Sequence, residues 1–253
     1  MNRLSWLLVA VLGILPALST AQNFDPNKLR QAIAGADRDL NDFVRDSVRR
    51  PVEVLEFLGL EPGMKVLDLY AAGGYYTFIL SKAVGDDGTV YAQNTSRGRQ
   101  FVEDKQEITQ GQALDSKIER GRLTNVVQII APLKDLTLPP NSLDGIILAQ
   151  TLHDTYNNNP ARALSMLVKL RSLLKPGGFI GITDHIGLDG NNNSALHRIT
   201  LAQARGISAE AGFDVTESDL LRVSTDEYKR SIFDPRLNRT TDRLLLKLTK
   251  RSN

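Results

Sequence analysis

From residue 51 onward, short apolar runs alternate with longer amphipathic stretches. Lys65–Tyr70 (KVLDLY) reads as a short buried strand, and so do Thr89–Gln93, Val126–Ala131, Leu143–Ala149 and Phe179–Thr183. Between them, helical spacing predicts helices over Tyr75–Ala83, Phe101 to about Glu119, Ala161–Leu174 and Leu196–Ala211. In the third of these, Leu164, Leu167, Val168 and Leu170 are expected to face the sheet. Strands that alternate with helices predict a parallel sheet covered on both faces. Asp214–Leu221 and Arg243–Thr249 have no convincing helix between them, so they predict an antiparallel hairpin at one edge. The expected fold is α/β, with a doubly wound, mostly parallel seven-stranded sheet and a C-terminal antiparallel hairpin.

Upstream, residues 26–50 read as polar helix, with Asp25 at the cap, Pro26 at the first position and an apolar stripe of Leu29, Ile33, Leu40, Phe43 and Val44. Arg38, Asp42, Asp46 and Arg49 recur at spacing near four and read as one polar face, a salt-bridged surface. Pro51 opens a further helix through Leu58, which Gly59 stops. Before all of this, Arg3 precedes the uncharged run Leu4–Leu18, and Ser19-Thr20-Ala21 puts small residues before Gln22. That is the layout of a secretory signal peptide. The run is too short for a span, which needs about 20 residues. The expected division is a signal peptide over 1–21, a helical extension over 22–50 and one domain over 51–253. The expected location is periplasmic or secreted, with no stable membrane insertion of the mature chain.

Composition adds mostly exclusions. In 253 residues, 31 Lys and Arg against 29 Asp and Glu leave a net charge of +2. With no long basic run, nucleic acid is not an expected partner. The absence of cysteine removes disulfides, thiolate metal sites and cysteine nucleophiles.

The segment Val66-Leu67-Asp68-Leu69-Tyr70-Ala71-Ala72-Gly73-Gly74-Tyr75-Tyr76-Thr77 carries an acid near the end of a strand, then a small-residue turn, then a helix start. Such a turn lets backbone approach a ligand, and it lies at the sheet edge where doubly wound folds bind ligands. Together with Leu174-Lys175-Pro176-Gly177-Gly178 and the order of elements, it resembles the class I S-adenosylmethionine-dependent methyltransferases, whose fold is Rossmann-like. The pattern is more similar still to a bacterial subgroup of exported methyltransferases, through Arg49-x-Pro51, Pro62-Gly63, His153-Asp154, His197-Arg198, Phe233-Asp234-Pro235 and Thr241-Asp242-Arg243. The resemblance implies S-adenosylmethionine as cofactor, held by Asp68, Tyr70, Ala72, Gly73, Gly74 and Thr77, with Asn94, Leu133 and Gln150 at the following strand ends. Three departures stand out. Tyr70 and Ala72 replace usual glycines, Gln93-Asn94 replaces an acid that binds the ribose, and Pro132 stands where many members read the adenine amine with an acid.

Two of the three histidines, His153 and His185, follow the fourth and fifth strands, each beside an Asp. The fold places both pairs at the edge that carries the Asp68 turn. His153, Asp154 and His185 are the candidate catalytic residues, since an imidazole can take a proton from an acceptor near neutral pH. No compact metal motif appears, so no metal is expected; His153, His185 and an Asp are the only three-ligand set that suggests itself. His197-Arg198 is read as opening the helix after the Asn-rich loop, with Arg198 exposed. The expected activity is methyl transfer to a small molecule. A binding protein on the same scaffold, and a metal-assisted hydrolase or lyase built on His153, Asp154, Asp184 and His185, are the competing readings.

Overall fold

The computed structural model describes residues 23–103, 107–237 and 240–251. The expected signal peptide over 1–21 lies outside the described residues.

Helices α1 (Pro26–Ile33) and α2 (Leu40–Arg49) replace the single expected helix over 26–50. Each has its own cap: Asp25 accepts from the backbone N–H groups of Asn27 and Lys28, and Asp39 from that of Asn41. The break turns the expected stripe apart. Leu29 and Ile33 are buried, whereas Leu40, Phe43 and Val44 face solvent. Helix α3 (Pro51–Leu58) ends at Gly59, whose φ of 72° suits the left-handed C-cap.

The α/β sheet then builds from β1 (Lys65–Leu69), α4 (Tyr75–Val84), β2 (Thr89–Asn94), α5 (Gln110–Arg120), β3 (Val126–Ile130), β4 (Leu143–Ala149), α6 (Leu152–Asn158), α7 (Pro160–Leu173), β5 (Leu174–His185), the short turn α8 (Asn193–Leu196), α9 (Leu201–Glu210), β6 (Phe213–Ser218) and β7 (Arg243–Lys250). The seven strands run in the order β3-β2-β1-β4-β5-β7-β6. Strands β1 to β5 are mutually parallel, and β7 is antiparallel to both β5 and β6. β6 and β7 therefore pair as expected, with β7 inserted inside. The residues explain the order: β7 has Leu244, Leu245, Leu246 and Leu248 buried, while β6 buries little besides Phe213. The strand with the longer apolar run takes the covered position.

Alternation divides the core between the two faces. Leu67, Leu69, Ile146 and Leu148 pack with α7 and α9, whereas Val66, Ile147 and Leu245 pack with α3 and α4. Two predicted helices are shorter than expected. The first starts at Gln110 and the second at Leu201, each behind a capping box, Thr109 with Gln112 and Thr200 with Gln203. Helix α6 was not expected, and Val168 is exposed on α7. Among the described residues, no helix is long and apolar enough to cross a membrane.

Candidate active site

β1 delivers Asp68 to the edge of the sheet. Its carboxylate accepts from the Thr77 hydroxyl at 2.6 Å, on the first turn of α4. Burial pushes the Asp68 carboxyl up to about 7, against the bonds from Thr77 that favour its charged form. In the turn that follows, Tyr70 (φ 54°), Ala72 (φ 50°) and Gly74 (φ 84°) all take the left-handed region. The two positions where the resemblance leads one to expect glycine thus keep a glycine-like backbone without the glycine. A Cβ in that region costs about 1–2 kcal/mol. Ala72→Gly is therefore expected to raise stability by about 0.5–1 kcal/mol, after the entropy glycine loses on folding. Matched urea unfolding curves would check this, and a loss of stability would contradict it.

Gln93 and Asn94, which stand where the resemblance leads one to expect an acid, serve the turn. The Gln93 side chain accepts from the Tyr70 N–H and donates to the Ala131 carbonyl. The Asn94 amide accepts from the Ala72 N–H at 2.9 Å and donates to the Ala72 carbonyl at 3.1 Å. Both side chains are buried, and they tie the turn to β2.

A second clamp joins α2 to the turn, and sequence reading passed over three of its members, Lys117, Arg45 and Glu103. Lys117 on α5 donates to the Gly73 carbonyl at 2.6 Å and pairs with Asp42 at 2.9 Å, and all but a trace of both side chains is buried. Arg45 bridges Asp42 and Glu103, and a Cβ at Gly73 would run into the Glu103 carboxylate. Arg38 holds Asp46 in a two-pronged ion pair, Asp46 accepts from the Tyr75 hydroxyl at 2.7 Å, and Arg49 stacks over the Tyr75 ring. Asp42, Asp46 and Arg49 thus lie on the inner face of α2, with Arg38 just ahead of the helix, which corrects the reading of all four as a salt-bridged surface. Spacing alone shows that they share a side. Lys117 had a signal, since it lies one helical turn beyond the buried Ala113 and Leu114.

Across the edge, β5 ends in Asp184-His185 and α6 begins with Leu152-His153-Asp154. Asp184 is fully buried. It accepts from the His153 ring Nδ1 at 2.7 Å, and from the backbone N–H groups of His153 and His185 at 2.8 Å each. The other ring nitrogen of His153 lies 3.1 Å from Asp154, which also meets His197 Nδ1 at 3.2 Å. Burial alone would lower His153, but the Asp184 and Asp154 carboxylates outweigh it and raise the imidazole to about 10. His185 goes the other way. Burial, with the nearby Arg243 and His153 charges, pushes it well below the ordinary imidazole value, and its Nδ1 sits 2.7 Å from the Thr241 hydroxyl.

His197 does not open a helix. It follows α8 with a φ of 55°, and its ring meets His153 at 5.7 Å and Phe233 at 4.9 Å between centroids. Arg198, expected on an exposed helix, is wholly buried in a two-pronged pair with Asp226.

Two cavities meet at Tyr70 and Asp154. One, about 690 Å³, is walled by Thr95, Pro132, Leu133, Met166 and Arg162. The other, about 430 Å³, holds Asp68, Ala72, Gly73, Gln150, His153 and His185. His197 and Arg49 also face the second cavity. Thr77 and Asn94 stand beneath the turn as its supports. Each volume lies within the range of small-ligand pockets.

This topology and this edge turn define an α/β fold of the class I methyltransferase kind. A sequence model of the protein-L-isoaspartate(D-aspartate) O-methyltransferase family matches residues 48–125, from the end of α2 to the start of β3. A ubiquinone/menaquinone biosynthesis C-methyltransferase (UbiE) of Shewanella pealeana is 32% identical over 146 residues, which are 55% of this chain and 50% of that protein. The demethylmenaquinone methyltransferase of Staphylococcus aureus is 29% identical over 127 residues, 50% of this chain and 45% of its own length. The chain spans about half the length of the curated relatives it matches. Among solved structures, a SAM-dependent methyltransferase from Aquifex aeolicus superposes with a TM-score of 0.60 at 23% identity, over 90% of this chain and 100% of its own. The [4+2]-cyclase SpnF superposes with a TM-score of 0.59 at 17% identity, over 82% of each chain. The fold is that of the S-adenosylmethionine-dependent methyltransferases.

Proposed function

We propose that this chain is an S-adenosylmethionine-dependent methyltransferase acting on a small molecule. The observation that carries the reading is the Asp68 turn, built at the edge of the sheet where two cavities of ligand size meet. The residues fit the cofactor. Asp68 and Gly73 would hold its amino-acid end in the smaller cavity, and Pro132, Leu133 and Met166 give the larger one an apolar wall suited to a base. Bound there, S-adenosylmethionine supplies a methyl group on a sulfonium, and its transfer depends chiefly on alignment with the acceptor. His153, Asp154 and His185 line the smaller cavity as well. His153 Nε2, held beside Asp154, is the ring nitrogen that would meet an acceptor oxygen there. The apolar run Leu4–Leu18 and the small residues before Gln22 support export of the mature chain.

Calorimetric titration with S-adenosylmethionine and S-adenosylhomocysteine tests this reading. Micromolar binding is expected, weakened about tenfold or more by Asp68→Ala. The absence of heat with either ligand, from a protein shown to be folded, would overturn it.

A further inference from the structure

We propose that His153, Asp154 and His197 form a binding site for one divalent transition-metal ion on the wall of the smaller cavity. Whether the ion binds is independent of the methyltransferase reading; what it does there rests on that reading.

The chain has three histidines, and the fold gathers all of them at one place. One donor atom each from His153, Asp154 and His197 lies within 4.8 Å of the other two. The Asp154 oxygen is 3.1 Å from His153 Nε2 and 3.2 Å from His197 Nδ1. Metal–ligand bonds of about 2.0–2.2 Å at tetrahedral or octahedral angles put neighbouring donor atoms roughly 3 Å apart. The two spacings to the Asp154 oxygen are those of neighbouring ligands around a single ion.

The support behind these ligands is also present. Asp184 takes the Nδ1 of His153 at 2.7 Å, which turns Nε2 toward the cluster. A buried carboxylate on the far nitrogen of a ligand imidazole fixes its tautomer and strengthens it as a donor. Asp184 is itself fixed by two backbone N–H groups. His197 is held by its neighbours: Arg198 is locked to Asp226, and the Phe233 ring packs against the imidazole. His185 is engaged with Thr241 and takes no part. This differs from the set that sequence order suggests, because His197 reaches the cluster from a loop 44 positions beyond His153.

Two imidazoles and one carboxylate suit borderline ions such as Zn²⁺, Co²⁺, Ni²⁺ or Fe²⁺, whereas Mg²⁺ and Ca²⁺ prefer oxygen alone. Three protein ligands leave at least one position open, and Asp154 and His197 both face the cavity. An acceptor hydroxyl bound at that position would release its proton to solvent more readily, as metal-bound water does. Its oxygen then forms the bond to the methyl carbon as the carbon–sulfur bond breaks, which releases S-adenosylhomocysteine. The substrate class is a small molecule with an ionisable hydroxyl.

The test uses the full chain without a histidine tag, stripped with EDTA and titrated with Co²⁺ and then Zn²⁺. One equivalent of cobalt with visible d–d absorption is expected, displaced by zinc. His197→Asn and Asp154→Asn should each weaken cobalt binding about tenfold or more. Both side chains are partly exposed (39% and 59%), and asparagine tolerates the left-handed backbone of position 197, so both variants should fold. No stoichiometric cobalt, or equal binding by both variants, would overturn the site. S-Adenosylhomocysteine is titrated into the same samples. S-Adenosylhomocysteine binding without cobalt overturns the metal site alone, and cobalt without S-adenosylhomocysteine overturns the methyltransferase reading alone.

Discussion

Asp226→Ala is expected to lower the unfolding free energy by about 3–5 kcal/mol, because it leaves a buried guanidinium without its counter-charge. Arg198 and Asp226 show no exposed side-chain surface, and their pair is 2.7 Å long. Arg198 also donates to the carbonyls of Ile186 and Arg230, and Asp226 accepts from the Asp242 N–H. The pair therefore joins the end of β5, the loop that carries His197, and the segment leading into β7. Urea unfolding measures the effect. A loss below about 1 kcal/mol would show that the charges are hydrated and the pair is not a structural tie. The cost belongs to the orphaned charge, so Arg198→Met combined with Asp226→Leu should recover much of it.

Asp184→Asn is expected to bring His153 down from about 10 toward the ordinary imidazole value near 6.5. Three histidines give three ring signals, so NMR titration of the metal-free protein can follow each one. His185 should stay well below 6.5 in both proteins, since burial is the main cause of its shift. Stability carries the same information. His153 is raised above its unfolded value, so its contribution is complete below about pH 6.5 and is lost as pH rises toward about 10. The stability gap between wild type and Asp184→Asn should narrow across that window. A constant gap, or an unmoved His153, would show that Asp184 acts only as a backbone acceptor.

Much of the sheet was legible because its strands are short apolar runs bounded by turns. The position of Asp68, and the convergence of the pairs after β4 and β5, followed from strand order. The misses share a cause. Arg198, Lys117 and Asp42 are charged, and a charged residue is read as exposed until its partner is known. Those partners lie far along the chain: Asp226 for Arg198, and Gly73 and Asp42 for Lys117. His197 was misplaced because the helix was started too early, although Thr200 and Gln203 spell a capping box. Likewise the amides of Gln93 and Asn94 are ordinary strand-end residues until the turn they support is seen.

Helix α2 covers the site with an unusual balance of forces. Its only fully buried residue is Asp42, while Leu40, Phe43 and Val44 already meet water. Lifting it away would break ion pairs to α5 and Glu103 but would wet little new hydrocarbon. The heat capacity of such an opening is therefore close to zero or slightly negative, because hydrated polar surface lowers it and apolar surface raises it. Its free energy would change almost linearly with temperature, unlike the curved profile of global unfolding.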